Sequence, residues 1–355
     1  MNDLPLTWIT QQLSNIPADT NKRYLWCTDE NALNMLPAAL HQQQLLVLTN
    51  RWDVAEQAKA HGFNTEFNDF DCSAIADNSL DKIFYRVSKE KPVVHHLLNQ
   101  AWRCLKPGGQ LLIAGYKNEG TKTYIEKIAK LLGSAKNIEK NGPVYSSELG
   151  KYTEYDAAQL LDDSDYNQQR PIALDSELKL LSKPGLFGWN KVDSGSALLI
   201  EQLEEHFDAA KAPASCLDLG CGYGYLTIAA AGLANCSSIQ HWTMTDNNAA
   251  ALAVARQNLL HNQLTGEVIA ADAGKGISAK VDLVLCNPPF HQGFSIDGDL
   301  TDKFLASAKR LLNPQGTALF VVNQFIPLER KAAPLFTQVK VLIDNGSFKV
   351  IQLGL

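Results

Sequence analysis

Short apolar runs recur along the chain, each closed by an acid, a glycine, a proline or an amide, with longer stretches of helix-spaced apolar residues between them. In the second half, strands are predicted at Ser215 to Leu219, at His241 to Thr245 ending in Asp246, at Glu267 to Ala271 ending in Asp272, and at Val281 to Cys286. The first half repeats this outline with strands over Arg23 to Thr28, Leu45 to Thr49, Lys82 to Tyr85 and Gln110 to Ala114. Leu105-Lys-Pro-Gly-Gly in one half parallels Leu312-Asn-Pro-Gln-Gly in the other, each leading into an apolar strand. Strands alternating with helices give an α/β chain with mainly parallel sheets, duplicated in tandem.

Two places depart from plain fold-building. Asn287-Pro-Pro-Phe follows the run Val281 to Cys286, and consecutive prolines cannot continue a strand because neither donates to the ladder. Proline also biases the preceding residue towards extended backbone, so Asn287 is expected to project from the strand tip beside the Pro288 carbonyl. Two acceptors side by side suit a planar exocyclic amino group, with Phe290 able to stack on its ring. The alternative is a turn that merely ends a strand. Upstream, Asp218 precedes Gly220, Gly222 and Gly224, spaced two apart, and an alanine-rich helix follows. A dinucleotide fold wants its third glycine three residues after the second, and no phosphate-loop pattern is present. Asp246 and Asp272 then fall at successive strand ends, where open α/β sheets bind ligands.

The set Asp218, Gly220, Gly222, Gly224, Asp246, Asp272 and Asn287 to Phe290 resembles the S-adenosylmethionine-dependent methyltransferases that modify exocyclic or amide nitrogens. The segment Pro184 to Leu203, with Lys191, Asp193 and Gly195-Ser196, further resembles bacterial ribosomal RNA guanine-N2 methyltransferases. The resemblance implies two tandem Rossmann-like methyltransferase domains, each a mostly parallel seven-stranded sheet with helices on both faces. It implies S-adenosyl-L-methionine as cofactor and a guanine of 16S rRNA, free or in the small ribosomal subunit, as substrate. Asp246 would hold the ribose, Asp272 the adenine, and Asp218 the turn and the methionine ammonium. Lys191 would help cover the cofactor. Asn287, Pro288, Pro289 and Phe290 would hold the target base. A glutamine-N5 protein methyltransferase, a DNA adenine-N6 enzyme and a non-catalytic RNA-binding factor stay open as alternatives.

The first half keeps the outline and loses the motifs. Cys27 to Asn31 contains no glycine, Asn50-Arg51 stands in the expected place of Asp246, and Arg86 to Lys89 replaces Asn-Pro-Pro-Phe when Asp81 is set against Asp282. The first domain is therefore expected to be degenerate. The expected layout is a degenerate domain over 1–155, a linker over 156–183, where acids cluster, and a catalytic domain over 184–355.

Charge changes the picture locally. The net charge is −6, yet residues 82–140 carry 12 Lys/Arg against 4 Asp/Glu, whereas residues 1–81 carry 4 against 11. Such a basic stretch gives a local field for phosphate, with Lys122, Lys127, Lys130, Lys136 and Lys140 as candidate RNA contacts. Ordinary solvated helix lysines are the alternative. The seven cysteines include no C-x-x-C pair, so neither a disulfide framework nor a metal site is expected. With no membrane-length apolar run and no leader pattern, a monomeric cytoplasmic protein is expected.

Overall fold

The computed structural model describes residues 3–17, 21–37, 44–173, 178–206, 212–289 and 300–355, together with the backbone of 291–292, 295–296 and 298–299. Its contacts divide the chain into two units, Met1–Tyr166 and Asn167–Leu355.

The first unit contains α1 (Leu4–Ser14), β1 (Tyr24–Thr28), β2 (Leu45–Thr49), α2 (Trp52–Ala60), β3 (Asn64–Phe67), β4 (Leu80–Arg86), α3 (Lys91–Cys104), β5 (Leu105–Tyr116), α4 (Thr121–Leu132), β6 (Glu139–Asn141) and β7 (Val144–Gly150). A hairpin of β8 (Arg170–Ile172) and β9 (Leu180–Ser182) opens the second unit. Then come α5 (Ser194–His206), β10 (Ser215–Leu219), α6 (Tyr225–Ala231), β11 (His241–Asp246), α7 (Ala249–His261), β12 (Gly266–Ala270), β13 (Val281–Cys286) and the short β14 (His291–Gln292) and β15 (Ser295–Ile296). It ends with α8 (Gly298–Leu311), β16 (Leu312–Asn323), α9 (Leu328–Ala332), β17 (Gln338–Asp344) and β18 (Phe348–Gly354).

Each unit has one seven-stranded sheet, ordered β3-β2-β1-β4-β5-β7-β6 in the first and β12-β11-β10-β13-β16-β18-β17 in the second. The last two strands of each run antiparallel to their neighbours and the others are parallel. Alternate residues of one strand feed different cores, as a sheet covered on both faces requires. In β16, Ala318, Phe320 and Val322 pack with residues of α8 and α9, while Leu319 and Val321 pack with residues of α5, α6 and α7. In the first unit, Ile83 and Tyr85 pack with residues of α3 and α4, whereas Phe84 joins residues of α1 and α2.

The repetition extends to register. The β4–β5 pairing slips between Leu80 and Lys82, and the β13–β16 pairing slips between Val281 and Leu283. At each slip sits an acid that accepts from the start of the neighbouring strand: Asp81 from the Arg23 N–H at 2.8 Å, and Asp282 from the Ala214 N–H at 3.0 Å. Beyond the third strand, Phe70 and Ala273 both hold positive φ, +54° and +45°, which is uncommon for residues with a β-carbon.

Two sequence readings change. The acid-rich segment 156–183 is not a uniform linker. Asn99 exchanges two hydrogen bonds of 2.9 Å with the backbone of Leu161, and buried Tyr166 donates to Asp69 at 2.5 Å, so 156–166 is built onto the first unit. Ile172 and Leu180 pack with Tyr223 and Ile228 of the second. Side chains satisfy this backbone, which apolar patterning does not reveal. The position of Asp246 is taken in the first unit by Thr49 rather than by Asn50-Arg51. Both residues end the second strand of their sheet and accept the N–H two residues on, Thr49 from Arg51 at 3.2 Å and Asp246 from Asn248 at 2.8 Å.

Candidate functional site

In the second sheet the strand order reverses between β10 and β13, because β11 and β12 extend one way and β16 the other. The carboxyl ends of strands flanking such a reversal form a crevice, since their connections leave in opposite directions. The glycine turn follows β10 and Asn287 follows β13, so the fold brings the two sequence motifs to adjacent strand ends.

The turn is pinned from β11. The Gly220 and Cys221 N–H groups both donate to the Thr245 carbonyl at 2.9 Å, and the Gly222 N–H donates to Asp246 Oδ2 at 2.9 Å. Gly224 has φ +92°, and an added β-carbon there would overlap the Met244 methyl. Gly222 differs: a β-carbon would meet no atom within 4 Å, so this part of the turn faces open space.

Asp218 is completely buried beneath the turn. Its Oδ2 accepts from Thr227 N at 3.1 Å and Thr227 Oγ1 at 2.9 Å, while its Oδ1 has no hydrogen-bond partner among the described residues. Burial pushes its pKa up to about 7, against the lowering effect of the Thr227 bonds and with a further rise from the Asp246 charge. A buried carboxylate oxygen without a partner is costly. It fits a cationic ligand group, and the residues here suit the amino-acid part of S-adenosylmethionine.

Asn287 is fixed by its amide nitrogen, which donates to Asp193 Oδ2 at 3.0 Å and to Ser196 Oγ at 2.8 Å. A carboxylate only accepts, so Asp193 selects which end of the amide faces it and leaves Oδ1 as the outward acceptor. Asp193 is itself held at the start of α5, where Oδ2 also accepts from the Ser196 N–H at 2.8 Å. Pro288 is buried and Pro289 exposed, while Phe290 lies outside the described residues.

The remaining predicted residues are placed as follows. Asp272, just beyond β12, forms an ion pair with Lys303 of α8, so a ligand amino group there would share the carboxylate. Lys191 is exposed on the turn before Asp193, and its N–H donates to the Gly188 carbonyl at 3.3 Å. In the first unit, Lys122 and Lys130 are exposed on α4, Lys136 on the loop after it and Lys140 on edge strand β6. Lys127 is instead half-buried with Nζ 3.3 Å from His95 Nε2. The five lysines therefore do not share one helix face.

Sequence reading missed Thr227 as the partner of Asp218, and Asp193 and Ser196 as the anchors of Asn287. Only the aspartate-to-serine spacing at a helix start, a capping pattern, hinted at the second pair.

The methyltransferase small domain family model matches residues 177–352, and that of the methyltransferase small domain N-terminal region matches 20–159. The chain is 30% identical over 301 residues to the ribosomal RNA small subunit methyltransferase C of Haemophilus influenzae, covering 84% of each. It is 29% identical over 335 residues to that of Erwinia tasmaniensis, covering 93% of this chain and 92% of the relative. The fold is shared with the T. thermophilus 16S rRNA N2 methyltransferase solved with AdoMet and guanosine, at TM-score 0.79 and 23% identity, covering 98% of this chain and 91% of that one. Its two matched domains and its relatives together place the chain in the ribosomal RNA small subunit methyltransferase C family.

Proposed function

We propose that the second unit transfers a methyl group from S-adenosylmethionine to the exocyclic N2 of a guanine in 16S rRNA. The observation that carries this reading is the fixed amide of Asn287, whose oxygen is left as an acceptor at the strand end beside the glycine turn. When bound, S-adenosylmethionine supplies an electrophilic methyl group on its sulfonium.

The chain's own residues bind and orient. Asp218 Oδ1 would accept from the cofactor ammonium, the backbone of Gly220 to Gly224 would pass close to its methionine part, and Asp246 and Asp272 would accept from ribose and adenine. Asn287 Oδ1 and the Pro288 carbonyl would take the two N2 protons, turning the nitrogen lone pair out of the ring plane. The flipped base would rest against Pro289, and the sequence reading assigns Phe290 to stack on it. An amino group held in line needs little further activation, because positioning itself lowers the barrier, and the proton leaves to solvent after transfer. Asp193 and Ser196 act as positioning residues. The first unit serves as RNA docking or folding support, with Lys122, Lys130, Lys136 and Lys140 facing phosphate and Lys127 held back by His95. The protein would act as a cytoplasmic monomer on free RNA or the small subunit.

Incubation with labelled S-adenosylmethionine and 16S rRNA or small subunits tests this. Methyl transfer to guanine N2 is expected, reduced about 100-fold or more in kcat by Asn287→Ala. Full activity of that variant, or transfer to no RNA, rejects the reading. Charge reversal of the four exposed lysines is expected to weaken RNA binding at low salt, and unchanged affinity would exclude their docking role.

A further inference from the structure

Phe325 is 90% exposed, although phenylalanine normally contributes its ring to a core. Its backbone is held firmly. The Gln324 N–H donates to the Ser347 carbonyl and the Ile326 N–H to the Asn323 carbonyl, both at 2.9 Å. Ile326 packs against the core and Leu328 is wholly buried, so the chain turns inward on one side of Phe325 while the ring alone is left outside.

Its place is also specific. Cys286 pairs with Phe320 in the parallel β13–β16 ladder, which sets Asn287 level with Val321, and the Phe325 turn immediately follows β16. Phe325 therefore stands at the carboxyl edge of the strand next to the one carrying the amide clamp. On the other flank of β13, the segment before Asp193 carries a second exposed ring, Phe187, beside Gly188, whose β-carbon position lies 3.8 Å from Tyr223 Oη. Leu260 is comparably bare, at 69%, but sits in the last turn of α7. That helix starts at the carboxyl end of β11 and runs back, so Leu260 lies at the opposite end of the sheet.

We infer that Phe325 is a stacking platform for an unpaired nucleotide adjoining the target guanine. This rests on the RNA-methylating reading above and adds a contact to it. A base drawn out of its stack leaves its neighbours unstacked, and an aromatic ring next to the clamp recovers that lost stacking without reading sequence. A fixed turn presents the ring with little ordering left to do. A protein surface of the small subunit is the rival occupant.

The test is steady-state methylation of naked 16S rRNA and of assembled small subunits by wild-type, Phe325→Ala, Phe325→Trp and Leu260→Ala proteins. Because the ring touches little of the fold, Phe325→Ala is expected to stay folded, checked by its melting temperature and an unchanged KM for S-adenosylmethionine. The KM for RNA is expected to rise about 5- to 150-fold, the equivalent of one stacked base, with Phe325→Trp restoring it and Leu260→Ala neutral. An unchanged RNA KM, equal impairment of the Ala and Trp variants, or a defect seen with assembled subunits but not naked RNA would overturn the inference. No methylation of either naked RNA or assembled subunits by the wild-type protein would instead remove the underlying reading.

Discussion

The tips of β4 and β13 occupy the same place in two sheets of the same order, yet one is plugged and the other open for work. At β13, Asn287 spends its two donors on Asp193 and Ser196 and keeps its acceptor outward. At β4 the equivalent residue is Arg86, only 2% exposed, which bonds Asp3 at 2.8 Å and both oxygens of Glu119 at 2.7 Å and also donates to the Val87 carbonyl. Asp3 caps α1 by accepting from Leu6, three residues on, as Asp193 accepts from Ser196 at α5. The helix-start aspartate is thus common to both units, and the change from amide to guanidinium alters what it supports. A guanidinium has donors only, so Arg86 can close an ion network but cannot offer an acceptor to a base.

The same replacement runs through the rest of the first site. Where the second unit has its glycine turn, the first has Asp29-Glu30-Asn31, and Glu30 pairs with Arg51 at 2.9 Å. Asp69 keeps the position of Asp272 but accepts from Tyr166. The polar groups at these positions are satisfied by partners within the protein. Burial opposes the charge on Arg86, but its bonds to Glu119 and Asp3 outweigh that and hold its pKa above the ordinary value.

The largest effect that would sharpen this contrast is expected from Arg86→Ala. Removing one partner leaves Glu119 buried and unpaired, which costs about 3 to 5 kcal/mol. Denaturant unfolding should show that loss in the first unit, and a stability change near zero would mean the plug is incidental. A smaller effect is expected from Gly224→Ala, about 1 to 3 kcal/mol from the left-handed backbone alone, together with crowding against Met244. It should lower the melting temperature and weaken S-adenosylmethionine binding, and normal binding in this variant would break the argument that the turn geometry is required.

A further effect concerns pH. Because the folded pKa of Asp218 is raised to about 7 from 3.8, its contribution favours the ligand-free fold at low pH and is lost as pH rises between those values. The slope approaches about 1.4 kcal/mol per pH unit within that window. Asp218→Asn should flatten it, and saturating S-adenosylmethionine should flatten it too if its ammonium meets Oδ1. A slope indifferent to both would exclude that contact. Nothing comparable is expected from the first unit's Trp26, which occupies the matching place in β1.

Much of this was legible before any coordinates. The strands, the repeat of the Leu-x-Pro-x-Gly turn and the loss of glycine and Asn-Pro-Pro-Phe in the first half follow from local rules, because period, proline and glycine act on their own neighbours. Asp218, Gly220 to Gly224, Asp246 and Asn287 could be named for the same reason. Their partners could not. Thr227, Asp193 and Lys303 reach Asp218, Asn287 and Asp272 only across folded elements, with Asp193 separated from Asn287 by 94 positions. Sequence counts charge in the basic stretch but not direction, and Lys127 turns inward to His95. The sequence by itself determined that one half keeps the glycine turn and the Asn-Pro-Pro-Phe strand end and the other does not. Tertiary structure alone decided what fills the lost site and which way the surviving amide points, because both depend on side chains meeting in space with fixed donor and acceptor roles.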